Sequence, residues 1–265
     1  MLLAILLLTT VATAQTTQPT DGKLDFGADG LVFPPAQVVN GHTPRTAQLL
    51  GEAYRRNDPL EWRRVQLVAD LGQVALPDGA PFVMDAMKDP SPAVRAEAAR
   101  SAGMIAPPPP SLLTQVEKLL ADADANVRRE AVLSAATLAR TLNQQTPAIE
   151  RGLADPEARV IAAALQRAWT AEHGNLIVQR IPSLPKALHA EAAAALGRAG
   201  ATESAQSLFP LLDGEIPVRA AAARGLGKLK SAGAHAALVK LLADAHPTVR
   251  REAIAALAKV DRDVV

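Results

Sequence analysis

The stretch DAHPTVRREAIAALA, residues 244–258, decides the fold, because near-copies of it occur at three other places in the chain. These are DPSPAVRAEAARSAG at 89–103, DADANVRREAVLSAA at 122–136 and DGEIPVRAAAARGLG at 213–227. Internal repetition of this kind indicates stacked structural units, each too small to bury its own apolar face. Aligning the rest of the chain on the basic position of the phrase gives seven units of about 31 residues. The aligned positions are Arg64, Arg95, Arg128, Arg159, His189, Arg219 and Arg250.

Each unit is predicted to contain two amphipathic helices joined by a turn. In the last unit, apolar residues recur with helical spacing before the turn, from Ala234 to Leu242, and after it, from Val249 to Val260. The turn itself ends in Pro247, and proline is favoured at a helix start because its missing N–H would have no intrahelical partner there. The chain contains 55 alanines and only 3% aromatic residues, a composition that argues against a β-sandwich and suits closely packed helices. We therefore predict an all-α fold, a right-handed α-solenoid over residues 46–265.

The repeated phrase also resembles a known family. Written D-x-x-x-x-V-R-x-x-A-A-x-A-L-G, it is similar to the short HEAT repeats first described in phycobilisome lyases, over about residues 46–260. The resemblance predicts about seven HEAT-like helix pairs. Because the family includes lyase subunits, scaffolds and regulatory adaptors, the resemblance indicates the fold and leaves the function open.

Two polar residues recur with the phrase. Six units carry an aspartate in the turn, and in five of them an arginine follows six positions later; unit five has Ser183 and His189 instead and so loses both at once. Joint loss indicates that the two groups interact. The resemblance implies a ladder in which the aspartate accepts turn amides and the arginine reaches an aspartate of the same or the neighbouring unit. The predicted ladder residues are Asp58, Arg64, Asp89, Arg95, Asp122, Arg128, Asp155, Arg159, Asp213, Arg219, Asp244 and Arg250.

Other charged residues fall on the second helix of each unit. Arg198, Lys228 and Lys259 lie late in their helices, where a cation interacts favourably with the negative end of the helix dipole. Met104 and Thr137 occupy the same position in units two and three, so a continuous phosphate-binding stripe is not predicted. Removing the apolar stripe from each second helix leaves a set of mixed sign as candidates for binding a partner. The set is Arg100, Arg129, Glu130, Arg224, Lys228, Arg251 and Glu252.

Composition and motif searches exclude several kinds of site. The net charge is +1 and cysteine is absent, which excludes a strongly basic tail, disulfides, cysteine-ligated metals and a thiol nucleophile. The five histidines are scattered, and the repeated His-Glu pairs of HEAT-like di-iron deoxyhypusine hydroxylases are missing; Glu172-His173 has the opposite order and one copy. We predict no catalytic residue, no metal and no cofactor.

The N-terminal region has a different composition from the repeats. The apolar run from Leu2 to Leu8 is followed by Ala12-Thr13-Ala14, a pattern typical of a signal peptide cleaved after residue 14, although no basic residue precedes the run. Residues 15–45 are rich in Pro, Gly, Thr and Asp and are predicted to form an extended arm. The sequence thus predicts export to the periplasm or the medium, with no membrane span; a cytosolic protein with an apolar N-terminus is the alternative.

These features favour a non-enzymatic scaffold that binds another protein and not nucleic acid. The alternative is a subunit similar to the phycobilisome lyases that acts on a bilin chromophore. A further candidate contact is the last unit, where Leu241, Leu242, Ile254 and Leu257 are predicted to leave an apolar edge for self-association or for a partner.

Overall fold

A computed structural model describes residues 43–260, and within this range the chain is helical and contains no strand. The predicted signal peptide, the arm up to residue 42 and the last five residues lie outside the described range. Helix α1 begins at Pro44, two residues before the predicted start of the solenoid, with Thr43 as its N-cap: the Thr43 hydroxyl accepts a hydrogen bond from the amide of Thr46 at 3.1 Å.

The helices alternate as the repeats predict. First helices of the units are α1 (Pro44–Arg55), α3 (Ala80–Ala86), α5 (Pro110–Lys118), α7 (Ala148–Leu153), α9 (Ala171–Arg180) and α12 (His235–Lys240). Second helices are α2 (Glu61–Val74), α4 (Pro92–Ala102), α6 (Ala125–Leu142), α8 (Ala158–Arg167), α10 (His189–Ala199), α11 (Ile216–Lys228) and α13 (Pro247–Val260). Unit six departs from the prediction: its first segment, Thr202–Leu208, is a 3-10 helix. Pro210 lies two residues after the end of this segment and cannot donate a backbone hydrogen bond, so a regular α-helix cannot continue through it.

The units stack into one α-solenoid, as predicted. Each second helix packs against the second helices before and after it, and the first helices cover one side of this layer. The interior is built from the predicted stripes, and small side chains let the helices approach closely: Ala98, Ala99 and Ala102 of α4 are completely buried. At α11 and α13 the approach requires glycine, because a Cβ on Gly227 would lie 2.6 Å from the Cα of Ala256.

The solenoid has two edges that carry different side chains. The ladder arginines lie in the first turns of the second helices, as Arg95 does in α4 and Arg128 does in α6. The cations Arg167, Arg198 and Lys228 lie in the last turns, at the opposite edge. We call these the ladder edge and the basic edge.

Candidate partner-binding surface

The ladder edge is built from ion pairs between consecutive units. Arg95 donates from Nε and Nη2 to the two carboxylate oxygens of Asp122 at 2.7 and 2.8 Å, and from Nη1 to the carbonyl of Asp89 at 3.0 Å. The Asp122 carboxylate also accepts the amide of Asp124 at 2.9 Å. Each arginine thus binds the carboxylate of the next unit and a turn carbonyl of its own unit. The same pairing joins Arg64 to Asp89, Arg128 to Asp155 and Arg219 to Asp244.

Each of these arginine–aspartate ion pairs, which we call the rungs of the ladder, is partly or fully buried. The first is the most buried: the side chains of Arg64 and Asp89 are 10% and 3% exposed, and the Tyr54 hydroxyl donates to the same carboxylate at 2.9 Å. Burial raises the pKa of Asp89, but hydrogen bonds from Arg64, Ser91 and Tyr54 outweigh burial and hold it below its ordinary value. The pKa of Asp122 is lowered first by its hydrogen bond from Arg95. The ladder is therefore a set of ionised, hydrogen-bonded pairs.

The ladder is interrupted between units four and six. Arg159, predicted as a ladder residue, is exposed; its Nη1 donates to Asn126 at 2.9 Å and its Nη2 lies 3.6 Å from Glu157. The position six residues after Asp155 is instead Ile161, which is buried and has no charge to offer. The placement of Arg159 in the ladder is therefore corrected.

Unit five retains only part of the arrangement. The ring nitrogen Nε2 of His189 lies 3.3 Å from the carbonyl oxygen of Leu184, five residues earlier. Arg219 makes the equivalent contact in unit six, where its Nη1 donates to the carbonyl of Gly214 at 2.9 Å. No ion pair or side-chain hydrogen bond of Asp213 is found in the described part of the chain, and this residue is exposed. Asp58 and Arg250 are the two ends of the ladder: Asp58 accepts from Arg63 at 3.3 Å, and Arg250 donates to the carbonyl of Asp244 at 2.8 Å.

The predicted partner-binding residues lie on the second helices, and most of them pair with one another. Arg224 donates to both carboxylate oxygens of Glu252 at 3.0 and 3.1 Å, which links α11 to α13. Arg251 lies 3.7 Å from the same carboxylate. Within single helices, Arg100 pairs with Glu97 at 2.5 Å and Arg129 pairs with Glu130. Lys228 is exposed. The arginines remain open to solvent, with Arg251 73% exposed, whereas the side chains of Glu130 and Glu252 are 14% exposed. The surface is therefore polar, and its arginines are paired with carboxylates that are largely covered.

The basic edge contains a cluster that the sequence did not predict. Trp169 follows the last turn of α8, and the guanidinium carbons of Arg140 and Arg167 lie 4.3 and 5.5 Å from its ring centroid. The Trp169 amide donates to Nδ1 of His173 at 3.3 Å, which fixes the loop against α9. Burial lowers the pKa of His173. Arg140 is brought here because α6 is 18 residues long and extends past the end of the shorter α8.

The predicted apolar edge of the last unit is partly present. Ile254 is 60% exposed and Leu242 is 39% exposed, whereas Leu241 is buried. Leu257 is partly buried. Elsewhere in the described range, no three His, Asp or Glu side chains are close enough to hold a metal ion. No helix between residues 43 and 260 combines the length and the apolar composition that crossing a membrane requires.

Comparison with known proteins places this architecture in a family. A model of HEAT repeats matches residues 46–136 and 175–258, so the chain belongs to the HEAT-repeat family. The match omits residues 137–174, the part of the chain that contains α7, α8 and Trp169. No curated protein sequence matches the chain.

Several solved structures are similar to this chain. A full-length AP-3 complex in an intermediate open conformation matches with a TM-score of 0.56 and 15% identity, over 83% of this chain and 46% of that one. This chain therefore spans less than half of that relative. A designed armadillo repeat protein in complex with the peptide (KR)4 matches with a TM-score of 0.41 and 22% identity, covering 82% and 98% of the two chains. The complex of CpcE and CpcF of phycocyanin lyase from Nostoc sp. PCC7120 matches with a TM-score of 0.39 and 19% identity, covering 86% and 80%.

Proposed function

We propose that this chain is an exported, non-enzymatic HEAT-repeat scaffold that binds another protein through the charged surface of its second helices. The observation that carries the proposal is a set of arginines on α4, α6, α11 and α13 that are paired with carboxylates and yet stay exposed. Arg224, for example, joins one unit to the next through Glu252 and is 46% exposed. Solenoids present such surfaces as extended binding faces. Because each of these arginines is already paired with a carboxylate, the surface favours a polar protein over a polyanion, and its salt dependence is expected to be moderate.

The test uses a triple substitution that removes charge without creating repulsion. Arg100, Arg224 and Arg251 are changed to Gln, because a Glu at position 224 would face the carboxylate of Glu252. The matched control changes Arg45, Arg151 and Arg180, which are exposed on first helices, to Gln. Each protein is immobilised and presented with the envelope fraction of the native host, and the retained proteins are identified by mass spectrometry.

The expected result is one defined protein that is retained by the wild type and the control and lost by the test variant, with all three equally helical by circular dichroism. Equal retention by both variants would overturn the role of the second helices. A titration with a bilin, followed by its visible absorption, tests the lyase-type alternative in the same preparation. A saturable spectral change there would replace the scaffold proposal.

Export rests on the pattern from Leu2 to Ala14 and is tested separately. Intact-mass analysis of protein from the native host is expected to give a chain that begins at Gln15. A cytoplasmic species that retains Met1 would remove export from the proposal.

Self-association is the second contact that we propose. Ile254 and Leu242 are large apolar side chains open to solvent on the last unit, which favours burial against another surface. Light scattering is expected to show a species larger than the monomer that Ile254→Lys dissociates. A monomer at all concentrations would exclude self-association and leave the scaffold proposal standing.

A further inference from the structure

The Trp169 cluster differs from the other cation–aromatic contacts of the described chain. Trp62 is contacted by Arg63, its own neighbour in α2, at 5.2 Å, and Phe82 by Arg55 of the preceding unit at 4.5 Å, so each of these rings receives one cation. Trp169, in contrast, receives Arg140 from α6 and Arg167 from α8, so two units bring two cations to one ring. The Nε of Arg167 is buried and has no hydrogen-bond partner among the described residues, a property that it shares with the Nε of Arg63. What distinguishes the Trp169 cluster is that neither of its two arginines has a carboxylate partner in the described range, whereas Arg63 pairs with Asp58. The cluster therefore holds positive charge at an aromatic face without neutralising it.

Further cations without a carboxylate partner follow along the basic edge of the solenoid. Arg198 donates from Nη2 to the carbonyl of Leu165 at 2.8 Å and has no carboxylate partner in the described range. Lys228 and Lys259 follow in the last turns of α11 and α13, again without an ion pair among the described residues. The edge thus presents a row of uncompensated cations: Arg140, Arg167, Arg198, Lys228 and Lys259.

The first units show that this lack of partners is not general. On their second helices, Arg64, Arg95, Arg100, Arg128 and Arg129 are each paired with an aspartate or a glutamate. Interaction with helix C-terminal dipoles accounts for one cation at each helix end. It does not account for the convergence of Arg140 and Arg167 on Trp169, at the part of the chain that departs from the family repeat.

We propose that the basic edge of units three to seven binds an extended acidic segment of the partner protein, with Trp169 as its anchor. This inference rests on the proposed scaffold function and names the chemistry of its partner. Neighbouring helices lie about 8–10 Å apart, and an extended chain advances about 3.3 Å per residue. One carboxylate in every three residues would therefore meet one cation per unit. The aromatic ring would contact the apolar parts of the segment, and its flanking guanidinium groups would pair with carboxylates in a bidentate manner.

A peptide titration tests the inference without the native partner. The full chain carrying Trp62→Phe retains Trp169 as its single tryptophan, since the sequence has two. The probe is a fluorescein-labelled peptide (Glu-Ser-Gly)5, and anisotropy of the label is followed together with Trp169 emission. The comparison peptides are (Lys-Ser-Gly)5 and one of the same composition as the probe with its five glutamates contiguous.

The expected result is saturable binding of (Glu-Ser-Gly)5 with a change in Trp169 emission, weaker binding of the contiguous peptide and no binding of the basic one. Arg140→Gln with Arg167→Gln should weaken binding by about tenfold or more, since each lost guanidinium removes a charge-assisted hydrogen bond at the anchor. The matched pair Arg151→Gln with Arg180→Gln removes the same charge from first helices and should change affinity less than about twofold, because exposed distant charges are screened.

Equal loss from both pairs, or no saturable binding of the acidic peptide, would overturn the inference. Tighter binding of oligo(dT) or of phosphatidylserine vesicles to the same cluster would also overturn it, in favour of a polyanion. The native partner separates this inference from the proposed function. If its retention is lost with the substitutions at Arg100, Arg224 and Arg251 but unchanged by those at Arg140 and Arg167, only the role of the basic edge is contradicted.

Discussion

Two junctions between units of this solenoid are built differently. Between units two and three, the Arg95 guanidinium forms an ion pair with Asp122. Gly103 packs closely against Ser134, since a Cβ added to Gly103 would lie 2.9 Å from the Ser134 Oγ. Between units four and five neither feature is present: Ile161 and Ser183 occupy the ladder positions, and α8 and α10 share the smallest contact of any consecutive pair of second helices. The hydrogen bond from Arg198 to the Leu165 carbonyl crosses this junction.

The difference divides the array into parts that are tied together to different degrees. Units one to four are joined by three consecutive ion pairs of the ladder, and units six and seven by one, so two tied blocks flank unit five, whose two junctions have no such ion pair among the described residues. Of these two junctions, the one between units four and five has the smaller contact between second helices. In a linear array, stability is the sum of unit and junction contributions, so the junction with the weakest contribution opens first. Trp169 and the two arginines over it lie at that junction, where a partner that spans both blocks would add the missing contact.

Acid is expected to have the largest effect on the stability of the tied blocks, because it protonates the carboxylates of all the rungs at once. A carboxylate whose folded-state pKa is lowered contributes stability that is complete above its unfolded pKa, about 3.9, and is lost as pH falls toward the folded pKa. Asp89 and Asp122 are such groups. The urea midpoint of the first unfolding transition should be steady from pH 7 to about 5 and fall steeply below about pH 4.

The control for acid separates ladder carboxylates from exposed ones. Asp122→Asn should make the fall shallower, because one titrating rung is gone, whereas Asp213→Asn should leave it unchanged, since Asp213 is exposed and forms no ion pair with any described residue. Identical acid profiles for the two variants would show that the ladder does not set the acid limit.

Loss of one rung ranks second. Arg64→Ala leaves the Asp89 carboxylate, 3% exposed, with only Tyr54 and the Ser91 amide as partners, which should destabilise the fold by about 3 kcal/mol. Arg159→Ala removes an exposed side chain and should cost less than about 0.5 kcal/mol. Urea unfolding of the two variants measures both. A similar loss of unfolding free energy in the two variants would contradict the conclusion that Arg64 is a ladder residue and Arg159 is not.

The repeat and its helix pairs could be predicted from the sequence because they depend on local spacing. Apolar periodicity, the turn aspartate and the proline at the start of α13 are all read within one unit. Arg159 was misassigned because its unit carries an arginine two positions before the ladder position. Alignment of Val160 with Val127 and Val249, all buried in the structure, identifies Ile161 as the true counterpart.

The pairings between units could not be obtained in the same way. Arg140 and Trp169 are 29 residues apart, and their contact depends on α6 extending beyond α8, a difference in helix length that periodicity does not specify. Arg224 and Glu252 likewise meet only because α11 and α13 are neighbours. A search for late cations in the helices that flank an aromatic loop residue would have identified the cluster.

Rebuilding a missing rung should give a smaller effect in the opposite direction. His189 already occupies the ladder position and approaches the Leu184 carbonyl, but its ring is too short to reach the next unit. His189→Arg should pair with Asp213 and raise the free energy of unfolding by at most about 1 kcal/mol, the upper end of the range for an exposed charge pair. Adding Asp213→Asn should abolish the gain in a double-mutant cycle. A gain that survives this second substitution would exclude the rung as its cause.

The smallest effect is expected at the weak junction itself. Arg198→Met keeps most of the apolar stem and removes the hydrogen bond to the Leu165 carbonyl, so the loss should be about 0.5 kcal/mol of local opening free energy. Because the bond joins α10 to the last turn of α8, amide hydrogen exchange should accelerate in α8, α9 and α10 and stay unchanged in α2 and α4. Lys228→Met is the matched control, since it removes a cation from the same row that has no hydrogen bond with a described residue. Acceleration that is equal in both variants, or that spreads to α2, would show that the junction between units four and five is not an independent point of opening.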